Sequence, residues 1–140
     1  MQDDSGHAKP AQDYATFINA KSHLSGSYGF EPTFIHPMAY DFQSHLTEWA
    51  CRQGRAAIFA DCGLGKTLMQ LTWAHNVVRH TGKPVLILSP LSVALQTVDE
   101  AAKFDLECKR SLDGSIKSEI VTANYERLAH FDPDDFAGVV

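Results

Sequence analysis

Apolar residues along this chain fall into two alternating rhythms. Short unbroken runs at 56–60 (Ala-Ala-Ile-Phe-Ala), 84–89 (Pro-Val-Leu-Ile-Leu-Ser), 119–122 (Glu-Ile-Val-Thr) and 136–140 (Phe-Ala-Gly-Val-Val) are too brief for helices and predict buried strands. Residues 106–110 predict a further short strand, with Gly114 as the turn after it. Between the runs, apolar positions recur every three or four residues. Phe42, Leu46, Trp49 and Ala50 predict a helix over 39–53 that stops at Gly54. Thr67, Leu68, Leu71, Ala74, Val77 and Val78 share one face of the next helix; Arg79 and His80 suit the negative end of its dipole, and Gly82 ends it. A third helix is predicted over 93–104 and a short one over 125–130. Far upstream, Tyr14, Phe17, Ile18 and Lys21 predict a short amphipathic helix ending near Ser22.

Strands alternating with helices imply an α/β body with a parallel sheet covered on both faces. Right-handed crossovers then set the loops that follow the strands along one rim. Residues 1–37 are expected to be a lead-in and 38–140 the α/β body. The last run is expected to be a central strand that breaks off with no turn or polar tail, as in the N-terminal part of a longer lobe. Its edge at Val139 and Val140 is then expected to favour aggregation.

One connection carries recognisable chemistry. Between the run ending at Ala60 and the helix starting near Thr67 lies Ala60-Asp61-Cys62-Gly63-Leu64-Gly65-Lys66-Thr67, whose Gly-Lys-Thr ending is that of a phosphate-binding P-loop in its strand-loop-helix setting. Gly63 and Gly65 let the backbone approach an anion, amides around Leu64 to Thr67 point at it, and a helix N-terminus lies behind. Lys66 is expected to reach the β- and γ-phosphate oxygens and the Thr67 hydroxyl to ligate Mg²⁺. Lys66 and Thr67 are therefore the candidate catalytic residues, and ATP with Mg²⁺ the candidate cofactors. The general pattern has Gly where this chain has Ala60.

Composition narrows the setting. A hydrophobic share of 44% with 21% charged residues in 140 residues suits one globular domain, and the formal net charge of −5 argues against holding nucleic acid by overall attraction. No apolar stretch reaches a membrane span of about 20 residues, and Asp3 and Asp4 open a terminus with no signal-peptide core, so a cytoplasmic location is the default. Cys51, Cys62 and Cys108 have no metal-type partner spacing and read as reduced thiols. The seven histidines show no paired ligand spacing either.

On its motifs the chain resembles the start of the first RecA-like lobe of a Snf-type DEAD/DEAH helicase-like ATPase of helicase superfamily two, close to versions found in phages and prophages. Gly63 to Leu68 matches that group's motif I, in which Asp61 is also typical and a small residue commonly stands at the Ala60 position. Phe42-Gln43 resembles the Q motif, which implies that the Gln43 amide reads the adenine edge by giving and taking one hydrogen bond. Pro90-Leu91-Ser92 with Gln96 and Glu100 resembles motif Ia, with Thr97 where Snf-type proteins usually carry Trp. Thr122-Ala123-Asn124-Tyr125-Glu126 resembles motif Ib. The resemblance implies nucleic-acid contacts at Pro90, Ser92, Gln96, Thr122, Asn124 and Tyr125, DNA as the partner, and host-cell cytoplasm as the location if the gene is carried by a phage. Ser92 and Asn124 are equally suited to capping helices.

Relatives of this kind hydrolyse ATP with an acidic pair just after the strand that begins here at Phe136, and the chain ends before that position. Asp132, Asp134 and Asp135 precede the strand, at its far end from the loop, and are rejected as substitutes. The arginine finger and the second lobe are expected to be missing too. The expected function is the ATP-binding N-terminal part of an ATP-dependent DNA helicase or translocase. The alternatives are a restriction-type motor subunit, a P-loop kinase acting on a small molecule, and a non-enzymatic piece that binds nucleotide weakly.

Overall fold

The computed structural model describes residues 28–140, so the helix expected around Tyr14 to Lys21 lies outside the described residues. The elements run α1 (Asp41–Gln53), α2 (Lys66–Thr81), β1 (Val85–Ser89), α3 (Leu91–Lys103), β2 (Cys108–Arg110), β3 (Ile120–Asn124), two 3₁₀ turns (Tyr125–His130 and Pro133–Asp135) and β4 (Gly138–Val139). All strand pairs are parallel and the sheet order is β2-β3-β1-β4.

Side-chain alternation along the strands divides the sheet into two faces. Val85 and Ile87 of β1, Cys108 of β2 and Ile120 of β3 point to the side covered by Leu71, Ala74, Val77 and Val78 of α2 and Ala101 of α3. Leu86, Val121 and Ala123 point to the other side, where Phe131 and Phe136, packed edge to face, cover them. The expectation of helices on both faces is therefore corrected among the described residues. Only irregular chain reaches the second face, because the residues after β3 form short 3₁₀ turns.

Two further expectations need correcting. The run at 56–60 forms no strand, and Phe59 is 98% exposed. Three of its five residues are alanines, which offer little apolar area to hold a strand against a helix, and it pairs with no neighbour. Among the described residues the run from Phe136 supplies the edge strand β4 beside β1 rather than a central one.

The helix ends follow local rules. Gly82 ends α2 with φ 71°, its amide bonded to Val78, and a three-residue connection then enters β1. Gly54 ends α1 with φ 74°, and a Cβ there would strike the backbone of Tyr28. That close approach exists because the lead-in chain caps α1: the Gly29 and Phe30 amides donate to the Arg52 and Cys51 carbonyls at 3.1 and 3.0 Å, satisfying helix-end acceptors.

The lead-in then runs along the back of α2. Phe30 stacks on His80 with ring centroids 4.2 Å apart, and Phe34 meets His75 edge-on at 4.8 Å. Asn76, 1% exposed, holds the segment as a strand neighbour would. Its Oδ1 accepts from the Thr33 and Phe34 amides at 2.9 and 3.0 Å, and its Nδ2 donates to the Phe34 and Thr72 carbonyls at 2.6 and 2.8 Å. Further along, the buried His36 bonds through Nε2 to the Phe104 carbonyl while its Nδ1 accepts from the Met38 amide, which ties the lead-in to the end of α3.

Candidate functional site: the glycine loop and its rim

Topology places the loop at 60–67 before its side chains are considered. The short connection from α2 to β1 makes the two antiparallel, so the N-terminus of α2 lies at the end of the sheet where the parallel strands finish. Helix α3 starts one residue after β1, at the same end. Ser89 and Asn124, in register as the last residues of β1 and β3, lie on that rim as well. In an open parallel sheet this is the edge where ligands bind.

Gly65 caps α2 in the left-handed conformation, φ 71° and ψ 39°, with no side chain bonded to the first-turn amides. Those amides remain available to an anion. Any side chain at 65 would be strained by the positive φ and would collide with the Gln43 amide nitrogen. Gly63 also has a positive φ, 79°, but faces open space, so conformation alone calls for glycine there. Thr67 lies half-buried in the first helical turn; Leu64 and Lys66 are exposed.

The Lys66 ammonium turns back onto the loop. It donates to the Ala60 carbonyl at 2.9 Å and the Asp61 carbonyl at 3.0 Å, which engages two of its three N–H groups. Asp61 in turn accepts from the Cys62 amide at 2.7 Å, tightening the turn before Gly63.

Gln43 joins the lead-in helix to the loop. Its Oε1 accepts from the Tyr40 amide and its Nε2 donates to the Leu64 carbonyl, both at 2.9 Å, and the residue is 4% exposed. The first bond starts α1 as the reciprocal half of a capping box would; the second fixes the loop. One N–H and one acceptor lone pair of the amide are left unused by these two bonds.

The residues assigned to nucleic acid divide by exposure. Pro90, Ser92, Gln96 and Tyr125 are exposed, the first two at the start of α3 and Tyr125 just beyond β3, while Gln96 bonds to Glu100 one turn on at 2.7 Å. Thr122 is fully buried in β3 with an unpartnered hydroxyl, so it touches nothing outside the fold in this conformation. Asn124 is 6% exposed; its Nδ2 donates to Glu126 and its Oδ1 has no partner. The same Asn124 bond holds the Glu126 carboxyl below its usual range, which keeps a negative charge on this part of the rim. Neither capping expectation holds. Pro90 precedes α3 with Ser92 inside its first turn, and Asn124 stands at the cap position of the 3₁₀ turn without bonding its amides.

Among the described residues there is no group of three or more His, Cys, Asp or Glu able to hold a metal ion. The loop offers one hydroxyl, Thr67, which suits a Mg²⁺ ion held chiefly by water and substrate phosphates, as that ion usually is. Asp134 lies elsewhere: its carbonyl accepts from Lys83, just before β1, at the end of the sheet opposite the rim. Burial pushes the Cys51 thiol up to about 11 and the Cys108 thiol up to about 12, so both are inert core groups. Cys62, on the loop, is exposed.

No protein-family model matches the chain, and no curated protein matches it either. The α/β architecture with an all-parallel four-stranded sheet therefore stands on the structure itself, and among the described residues no helix is long and apolar enough to cross a membrane.

Asn76 and the Gln43–Leu64 bond escaped the sequence reading. Asn76 sits on the buried side of α2 with Thr72 one turn before it, and a polar residue there signals a buried bonding role once the helix face is drawn. The partner of Gln43 is 21 residues away, and no local pattern carries that pairing.

Proposed function

We propose that the 60–67 loop is a P-loop and that this chain binds the triphosphate of ATP with Mg²⁺, as part of a RecA-like lobe of a DNA helicase or translocase. The observation that carries the reading is the left-handed Gly65 opening an uncapped 16-residue helix with Lys66 at its first position. A lysine, a run of uncapped amides and a helix dipole thus lie together at one helix N-terminus, which is what a polyphosphate requires. Thr67 lies one residue further on and would supply the hydroxyl to the metal ion. The chemistry a bound Mg²⁺ adds is charge neutralisation between phosphate oxygens.

Gln43 favours the motor reading over a small-molecule kinase, because its bond to Leu64 ties the helix before the loop directly to the loop. A kinase needs no such lead-in. The exposed polar residues on the same rim, Ser92, Gln96 and Tyr125, are the proposed backbone contacts to DNA. Asp61 is the only acidic side chain within the loop, and it is engaged with the Cys62 amide, so binding rather than hydrolysis is the activity proposed for these residues.

The test is titration with a fluorescent ATP analogue and Mg²⁺. Lys66→Ala removes a charged phosphate contact worth about 1.5–3 kcal/mol, so affinity should drop roughly 10- to 150-fold. Equal affinity in the variant would remove the P-loop assignment. DNA that fails to bind at low salt, while nucleotide binds, would instead leave the kinase reading.

A further inference from the structure

We infer that Arg110, at the end of the outer strand β2, holds a backbone phosphate of the DNA strand that crosses the rim. The inference rests on the DNA reading of that rim for its ligand and on the fold for its position. Arg110 lies outside every stretch that suggests a nucleic-acid contact in the sequence.

Strand register fixes where the side chain leaves the sheet. Cys108 belongs to the core beneath α2 and α3, so Arg110, two residues on, leaves from the same face, and its parallel partner is Thr122 of β3. Among the described residues it is the one lysine or arginine that is not exposed. Its Nε is buried without an acceptor, and no carboxylate pairs with the guanidinium. The acids close to it in sequence are engaged elsewhere: Glu107 with Lys109 at 3.0 Å, and Asp113 with the Ser111 and Ser115 hydroxyls. Across the ladder, the buried Thr122 hydroxyl has no partner either. Two neighbouring strand ends thus carry unused donors on one face. A buried donor left without an acceptor destabilises a fold, and such exceptions gather where a ligand is to be met.

Charge says which ligand. The exposed residues proposed to meet DNA, Ser92, Gln96 and Tyr125, are all uncharged, whereas a phosphodiester is held chiefly by cations. Lys66 is engaged by the loop carbonyls, and Arg127 lies within reach of the Glu126 charge. Among the described residues, Arg110 is the cation that remains at this end of the sheet. Its planar fork of N–H groups matches two oxygens of one phosphate. The spacing fits as well. From the end of β1 to the end of β2 is two strand separations, roughly 10 Å, or about three nucleotide steps along one strand.

The test is DNA binding across a salt series for the parent chain, Arg110→Gln and Arg110→Lys, with the fluorescent ATP titration alongside. Arg110→Gln should reduce the slope of log affinity against log salt by about 0.9 on duplex or about 0.7 on single-stranded DNA. At low salt its DNA affinity should fall about tenfold. Arg110→Lys should restore the slope, and ATP affinity should stay at the parent's value in both variants. A parental slope in Arg110→Gln overturns the inference and leaves the DNA reading standing; a parent chain that binds nucleotide but no DNA removes both. Where Arg110→Gln melts lower than the parent, Arg110→Lys decides: weaker DNA binding at the parental slope supports the phosphate fork, and unchanged affinity overturns it. Inorganic phosphate that raises the melting temperature of the parent but not of Arg110→Gln, with equal DNA slopes, would assign the arginine to a free anion and overturn the DNA contact.

Discussion

Strand β1 and the segment at 56–60 are both apolar runs of five residues next to a helix, and the protein treats them oppositely. In β1 four of five residues are buried, with Leu88 half-buried, and β3 and β4 flank it on either side. At 56–60 none is buried. Side-chain size accounts for part of the difference, since Val, Leu and Ile bring far more area to α2 and α3 than three alanines can. Neighbours account for the rest. A parallel strand obtains its ladder bonds only from other strands, so a run with no partner leaves its amides to water. Burial therefore collects where two helices and two strands meet, and the run leading into the glycine loop is left exposed.

This contrast can be broken by substitution. The largest effect is expected at Ile87→Ala in β1, where a fully enclosed side chain leaves a cavity: a loss of about 2–5 kcal/mol in chemical denaturation. A loss below about 1 kcal/mol would mean that the core is far looser than its burial indicates.

Asn76→Ala comes next. It strands the Thr33 and Phe34 amides and the Phe34 carbonyl at about 1–3 kcal/mol for each group left dry, and partial wetting of the lead-in should bring the total toward the lower end. Proteolysis should then cut the chain near Phe34 first; a variant as stable and as resistant as the parent would deny Asn76 its clamping role.

A smaller effect is expected from pH. His75 is held below its ordinary value first by burial and then by the Arg79 charge one turn away. The folded protein prefers the neutral ring, so this contribution is intact above the unfolded value of about 6.5 and is lost as pH falls below it. His75→Gln should flatten the stability profile as pH falls below about 6.5; a variant with the parent's slope would assign the acid sensitivity elsewhere.

The smallest effect is expected at Phe59. With its ring almost wholly in water, Phe59→Ala should change stability without nucleotide by no more than about 0.5 kcal/mol. A larger loss would mean that the ring is covered rather than exposed.

The division between legible and illegible features follows the same line. Periodicity located α1, α2, β1 and α3 to within two residues, because each element buries a stripe set by its own backbone geometry. The parallel sheet followed from strand-helix alternation, and Gly54, Gly82 and Gly114 all have the positive φ their positions suggested. The run at 56–60 misled because burial was read from composition, whereas strand formation depends on a neighbour. Ser92 misled because α3 begins two residues earlier than periodicity suggested, at Leu91.

For the candidate site, the sequence by itself determined which residues could meet a phosphate: Gly63, Gly65, Lys66 and Thr67 form one contiguous stretch before a helix, and contiguity guarantees proximity. Only the tertiary structure decided how they are held. Gln43 reaches the loop across 21 residues, Lys66 turns back to the Ala60 and Asp61 carbonyls, and Thr122 lies sealed in the sheet while Tyr125 is left outside. Local spacing encodes the direction a side chain takes from its own backbone; what it meets there depends on parts of the chain brought alongside by folding, and no window of sequence contains both.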